Sequence, residues 1–134
     1  MKLIILLICL LISSDIFACT CGGREQSQEQ QIKNSDYVYF GKIVNSSLIS
    51  DVNVSSLLEV IEHLKGKPDN LNLDSLAESH MCARYAVVGL TYIVFGNHGE
   101  TPRLNFCSPS KLLMEDIHPD YESKLQKLRD ATNQ

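Results

Sequence analysis

A chain of 134 residues, 44% hydrophobic and 21% charged, has the size of one ordinary domain. Its formal net charge is −4, with no basic block and no basic amphipathic stretch. That excludes the electrostatic footprint of a nucleic-acid binder, so no nucleic acid is expected among its partners.

Met1-Lys2 leads an unbroken apolar run from Leu3 to Ile12, and the segment closes on Asp15-Ile16-Phe17-Ala18. One positive charge, an apolar core of about ten residues and a small final residue fit a secretory signal peptide over residues 1–18. The run is too short for a transmembrane helix, which takes about 20 apolar residues. No later stretch is long enough either. Residues 19–134 are therefore expected as one exported domain, secreted or periplasmic. Ile16-Phe17-Ala18-Cys19 also resembles a bacterial lipobox, which makes a lipid anchor at Cys19 the alternative to a free terminus.

Cys9 leaves with the leader, so Cys19, Cys21, Cys82 and Cys107 remain. An even count in an exported chain points to two disulfides. A bridge from Cys19 to Cys21 would close a strained small ring. Two connectivities stay open: 19–82 with 21–107, or 19–107 with 21–82.

Gly22-Gly23 gives a flexible exit from the cysteine pair. Arg24 to Ser35 is polar with Ile32 its only large apolar residue, and it reads as a short surface helix ending near Asn34-Ser35. Asp36 to Val44 is the clearest strand, and Gly41 inside it suggests a bulge. Asn45 to Asn53 reads as a loop with two glycosylation acceptor patterns, Asn45-Ser46-Ser47 and Asn53-Val54-Ser55. From Ser55 to Lys67 the local pattern favours a helix. Leu57, Val60, Ile61 and Leu64 fall at helical spacing, with Ser56 as cap and Glu59 three residues later.

Lys65 to Asn70 is a turn and Leu71-Asn72-Leu73 a short strand. Ala83 to Val88 and Leu90 to Phe95 read as strands meeting at Gly89, and Leu104-Asn105-Phe106 leads the last strand into Cys107. After Pro109 the pattern turns helical, with a charged terminal helix from Tyr121 to Ala131. Five or more short strands with a few helices give an all-β fold with flanking helices, a small closed or partly open barrel.

No enzyme is expected, because neither G-x-S-x-G nor H-E-x-x-H occurs. His63, His80, His98 and His118 do not pair at helical ligand spacing. Cys19 and Cys21 with His80-Met81-Cys82 carry paired cysteines on one side only, whereas structural zinc sites pair them on both. No metal or other cofactor of its own is expected. The mature terminus differs in kind. An α-amino group has a pKa near 8, so a fair fraction is neutral and donates its lone pair. With the carbonyl oxygen of the same residue it closes a five-membered chelate on a metal. Disulfides at Cys19 and Cys21 would hold that chelate still, removing the entropy a free terminus loses on binding. Such a group fits the open coordination position of a catalytic zinc.

Cys19-Thr20-Cys21 at a leader boundary resembles the start of the tissue inhibitors of metalloproteinases. Further likenesses follow in order. Ser35-Asp36-Tyr37-Val38 with Gly41-Lys42-Ile43-Val44 resembles that family's first strand, and Leu64-Lys65-Gly66 its Phe-Lys-Gly turn. Cys82 falls at its mid-chain cysteine. Gly89 to Phe95 resembles its Tyr-Leu-containing strand, and Leu104-Asn105-Phe106-Cys107 its last cysteine-bearing strand.

The resemblance implies an OB-fold five-stranded barrel, the netrin-like module, over residues 19–134, with pairings Cys19–Cys82 and Cys21–Cys107. It also implies a strand at Ser55 to Leu64 with Glu62 facing solvent, since packing outweighs propensity. In that family the terminal cysteine chelates the zinc of the target protease and the second residue fills its specificity pocket. Carried over, those roles fall to Cys19 and Thr20, with Cys21, Ser79, His80 and Met81 completing the inhibitory ridge. The implied function is that of a secreted inhibitor of a zinc metalloendopeptidase. The alternative is an exported netrin-like binding module without inhibitory activity. The chain departs from the family in lacking its third cysteine and that residue's late partner, and in carrying Gly22-Gly23 where prolines are usual. Without the second, cysteine-rich domain, it is closest in kind to single-domain bacterial-type relatives.

Overall fold

The computed structural model describes residues 19, 21–22, 26–77, 83–113 and 121–133. The first helix, α1 (Gln28–Asn34), starts where the Ser27 hydroxyl accepts from the Gln30 amide, satisfying one of the donors that a helix start leaves orphaned. Two long strands follow, β1 (Tyr37–Leu48) and β2 (Asn53–Lys65), then β3 (Asn72–Leu76) and β4 (Thr91–Gly96). Two short strands, β5 (Arg103–Leu104) and β6 (Lys111–Leu113), precede the last helix, α2 (Tyr121–Thr132). The strands form one sheet in the order β5-β3-β2-β1-β4-β6, curled into a half-barrel. All neighbours are antiparallel except β3 and β5.

Alternation along β1 and β4 explains why the sheet is buried on both faces. Successive side chains of a strand point to opposite sides. Tyr37, Tyr39, Tyr92 and Val94 therefore turn inward, where they pack with Ile43, Leu58, Leu73 and Leu104. Val38, Phe40, Ile93 and Phe95 turn outward and are covered by Ile32 of α1 and by Leu125 and Leu128 of α2. A near-continuous apolar run such as Tyr37 to Phe40 is the expected consequence of two covered faces.

Curvature enters at the bulge expected near Gly41. The β1–β2 register shifts between Phe40 and Gly41, and a Cβ there would stand 2.9 Å from Leu58 Cδ2 and from the Tyr39 ring. The Lys65-Gly66 pair also has a structural role. Lys65 Nζ donates to the carbonyls of Ile32 (2.8 Å) and Ser35 at the end of α1, where Ile32 O also accepts from Ser35 N at 3.3 Å. Gly66 turns with φ +54°, and a Cβ would meet the Asp36 carbonyl oxygen at 2.4 Å.

Several local readings differ from this structure. The helical pattern from Ser55 onward is overridden: β2 is a strand, paired with β1 from Val38↔Lys65 to Leu48↔Val54 and with β3 on its other side. Glu62 does not face open solvent. Arg129 of α2 donates to its two carboxylate oxygens at 2.8 Å each, because α2 lies against that face of β2. The predicted loop Asn45–Asn53 shrinks to residues 49–52, since the ladder continues through the Ser46–Ser56 hydroxyl pair (2.8 Å) to Leu48.

Ala83 to Val88 forms no strand, only an isolated bridge between Ala83 and Asn105. Its backbone bonds go instead to Tyr92, whose hydroxyl accepts from Val87 N (3.0 Å) and donates to Tyr85 O (3.2 Å). Residues 111–113 are strand rather than helix. The last strand region is split into β5 and β6 because Pro109 has no N–H to give β4. In its place the Ser110 hydroxyl accepts from Phe95 N at 3.1 Å and donates to Phe95 O at 3.4 Å.

Candidate functional site

The site at the expected mature terminus is built on a turn. Asn105 Oδ1 accepts from Cys107 N (2.9 Å), and Asn105 O accepts from Ser108 N (3.3 Å), so the chain after β5 folds back with Cys107 outermost. There Cys107 is bonded to Cys21, their Cα atoms 5.4 Å apart. The pairing is one of the two that the resemblance implies. The other, Cys19–Cys82, falls partly outside the described residues. Cys19 itself is disulfide-bonded rather than a free thiol.

Thr20, Ser79, His80, Met81 and Cys82 lie outside the described residues. Of the predicted ridge, Cys19 and Cys21 are placed, and both line one cleft of about 790 Å³. The far end of α1 contributes Gln31 and Asn34, and the turn after β5 contributes Phe106, Cys107 and Ser108. The cleft joins segments far apart in sequence because the bridge to Cys107 pins the start of the domain across the end of the sheet.

Arg84 and Phe106 are among the residues of this cleft that escaped the sequence reading. The Arg84 guanidinium stands 5.6 Å from the Phe106 ring centroid, within cation–π range. Phe106 keeps 49% of its surface exposed beside the disulfide. Its sequence signal was the aromatic immediately before Cys107, which alternation alone assigned to a strand. Lys111 of β6 also lines the cleft, and no carboxylate does so among the described residues.

Elsewhere the chemistry is structural. His98 Nδ1 is 3.7 Å from Asp69 Oδ1 on an exposed corner, where Asp69 Oδ2 also accepts from Gly99 N (2.8 Å). That backbone bond, with the nearby imidazole, holds the Asp69 carboxyl below the usual range. His63 is exposed, and His80 and His118 lie outside the described residues. Among the described residues no three His, Cys, Asp or Glu side chains gather as a metal site would require, and no helix is long and apolar enough to cross a membrane. A second cleft, of about 670 Å³, runs along the seam between β4 and β5 and holds none of the predicted residues. No protein-family model matches the chain, and no curated protein matches it.

Proposed function

We propose that residues 19–134 act as an exported inhibitor of a zinc metalloendopeptidase, with Cys19 as the first residue. Its free amino nitrogen and carbonyl oxygen enter the open position of the target's zinc. The Thr20 side chain fills the adjoining specificity pocket, and Ser79, His80 and Met81 complete the contact surface. The observation that carries this reading is the Cys21–Cys107 bridge, which ties the segment after the terminus to the end of the sheet beside a cleft. A chelating terminus needs such an anchor, because an unanchored one would lose its freedom on binding. The partner proposed for Cys19 is Cys82.

The same proposal takes the half-barrel as an OB-fold. Support comes from the strand order, in which β3 and β5 are the parallel pair and the two edge strands, β5 and β6, are joined only by residues 105–110. Taken as one bent strand, β5 and β6 bring the two sheet edges together and close a five-stranded barrel.

The test is inhibition of a panel of zinc endopeptidases by the refolded 19–134 protein and by a form with one alanine added ahead of Cys19. The added residue converts the terminal amine to an amide, a poor metal donor. Inhibition by the native terminus and its loss in the extended form is the expected result. Undiminished inhibition by the extended form refutes the chelating terminus. No inhibition by either form favours the binding module. Mass spectrometry of the exported protein separates a free Cys19 amine from an acylated one.

A further inference from the structure

The cleft beside Cys19 carries a charge at odds with the rest of the molecule. The chain has a net charge of −4, yet the charged groups lining the cleft among the described residues are both cationic, Arg84 and Lys111. Neither has a carboxylate partner there: the ion pairs in the described residues are His98–Asp69 and Arg129–Glu62. Arg84 instead lies over Phe106, and Lys111 is exposed. Two cations in one concavity, without a carboxylate partner among the described residues, present a positive focus to an incoming anion.

The other lining groups point to the kind of anion. Gln26, Gln31, Asn34 and Asn97 offer amide donors and acceptors. Gln31 Nε2 donates to Gln26 O, and Asn34 Nδ2 to Gln26 Oε1, each at 3.3 Å. These are long, exposed bonds that exchange readily for others. A peptide backbone needs donors and acceptors together, whereas a lipid phosphate needs only donors. The half-exposed Phe106 ring adds an apolar platform, and about 790 Å³ is room for several residues rather than for one small ion. We propose that this cleft docks an acidic peptide segment of a partner protein, its carboxylates on Arg84 and Lys111 and an apolar side chain on Phe106. This deepens the inhibitor reading, in which the segment belongs to the target beside its zinc cleft, but the docking itself is measured without any protease.

The probe is a hexapeptide, Asp-Glu-Leu-Asp-Glu-Leu, acetylated and amidated, with Asn-Gln-Leu-Asn-Gln-Leu as its neutral counterpart. Both are titrated into the disulfide-intact 19–134 protein and followed by amide NMR. The acidic peptide should shift Arg84, Phe106, Lys111 and the end of α1, and bind at least about tenfold more weakly when salt rises from about 20 to about 200 mM. The neutral peptide should not. Lys111→Glu and Arg84→Gln should each weaken the acidic peptide several-fold, and their spectra report in the same experiment that the fold persists. The alanine-extended protein should still bind the peptide, so undiminished inhibition by that form, with peptide binding intact, counts against the chelating terminus alone. Equal shifts with the neutral peptide, or shifts centred elsewhere, overturn the proposal. So does binding of phosphatidylserine vesicles through Arg84 and Lys111 without binding of the peptide.

Discussion

Replacing both ends of the Cys21–Cys107 bridge by serine tests how much of the domain's stability comes from one covalent link. The bridge spans 86 positions of sequence. In the chain-entropy model a loop of that length raises the free energy of the unfolded chain by about 4.6 kcal/mol at 25 °C. Both cysteines are exposed, so serine removes little packed surface and the loop term dominates. Globular domains unfold with an entropy of about 2 cal/mol/K per residue, so for a domain of this size the loss corresponds to a melting temperature lower by about 15–20 °C. Urea unfolding should show a steeper slope as well, because the released chain exposes more surface when unfolded. Circular-dichroism melts and urea titrations of the Cys21→Ser, Cys107→Ser protein check both. A melting temperature within a few degrees of the parent would refute the reasoning, and would mean that the freed segment frays in the folded state or that the unfolded chain stays compact without the link.

Lys65→Met removes the donor that Ile32 O and Ser35 O share, and should lower the urea midpoint by the equivalent of about 1–3 kcal/mol; an unchanged midpoint counts against the cap. Gly96→Ala places a Cβ 2.2 Å from Tyr37 Cζ and should cost more than about 2 kcal/mol, part of it recovered by Tyr37→Leu in the same protein. Strict additivity of that pair would show that the ring is not what the methyl meets. The Tyr39 hydroxyl is buried without a hydrogen-bond partner among the described residues, so Tyr39→Phe should leave stability equal or higher, and a loss above about 1 kcal/mol would contradict this.

The hydrogen bonds from Arg129 hold the Glu62 carboxyl below the usual glutamate range, so its contribution is complete above that range and is lost as the pH falls through the lowered folded value. Side-chain exposures of 35% and 34% keep the contribution under about 1 kcal/mol. The stability gap to Glu62→Gln should be level from about pH 7 to 5 and narrow as the pH falls further; a gap that stays constant or widens on acidification would refute the assignment.

Local chemistry alone announced β1, with its apolar run and the Gly41 bulge, and the start of α2. Both are elements whose own periodicity matches the faces they bury. An even number of cysteines announced bridges but left two pairings open, since spacing says nothing about which ends meet. The resemblance to the metalloproteinase inhibitors supplied the pairing of Cys21 with Cys107, which the structure holds. Local spacing read β2 as a helix and the resemblance read it as a strand; it is the strand because β1 and β3 hydrogen-bond to both of its edges, which outweighs the helical spacing. Glu62 followed, because its partner Arg129 lies 67 positions away on a helix whose docking no local pattern encodes. After Pro109 the sequence pattern reads as helical. In the fold Pro109 and Ser110 divide the last strand, because the Phe95 backbone lies opposite and is completed by a hydroxyl instead of a ladder bond. The cleft is the clearest case: Arg84, Phe106, Lys111 and the end of α1 carry no shared motif and meet because the sheet curls and one bridge draws residue 21 across its end.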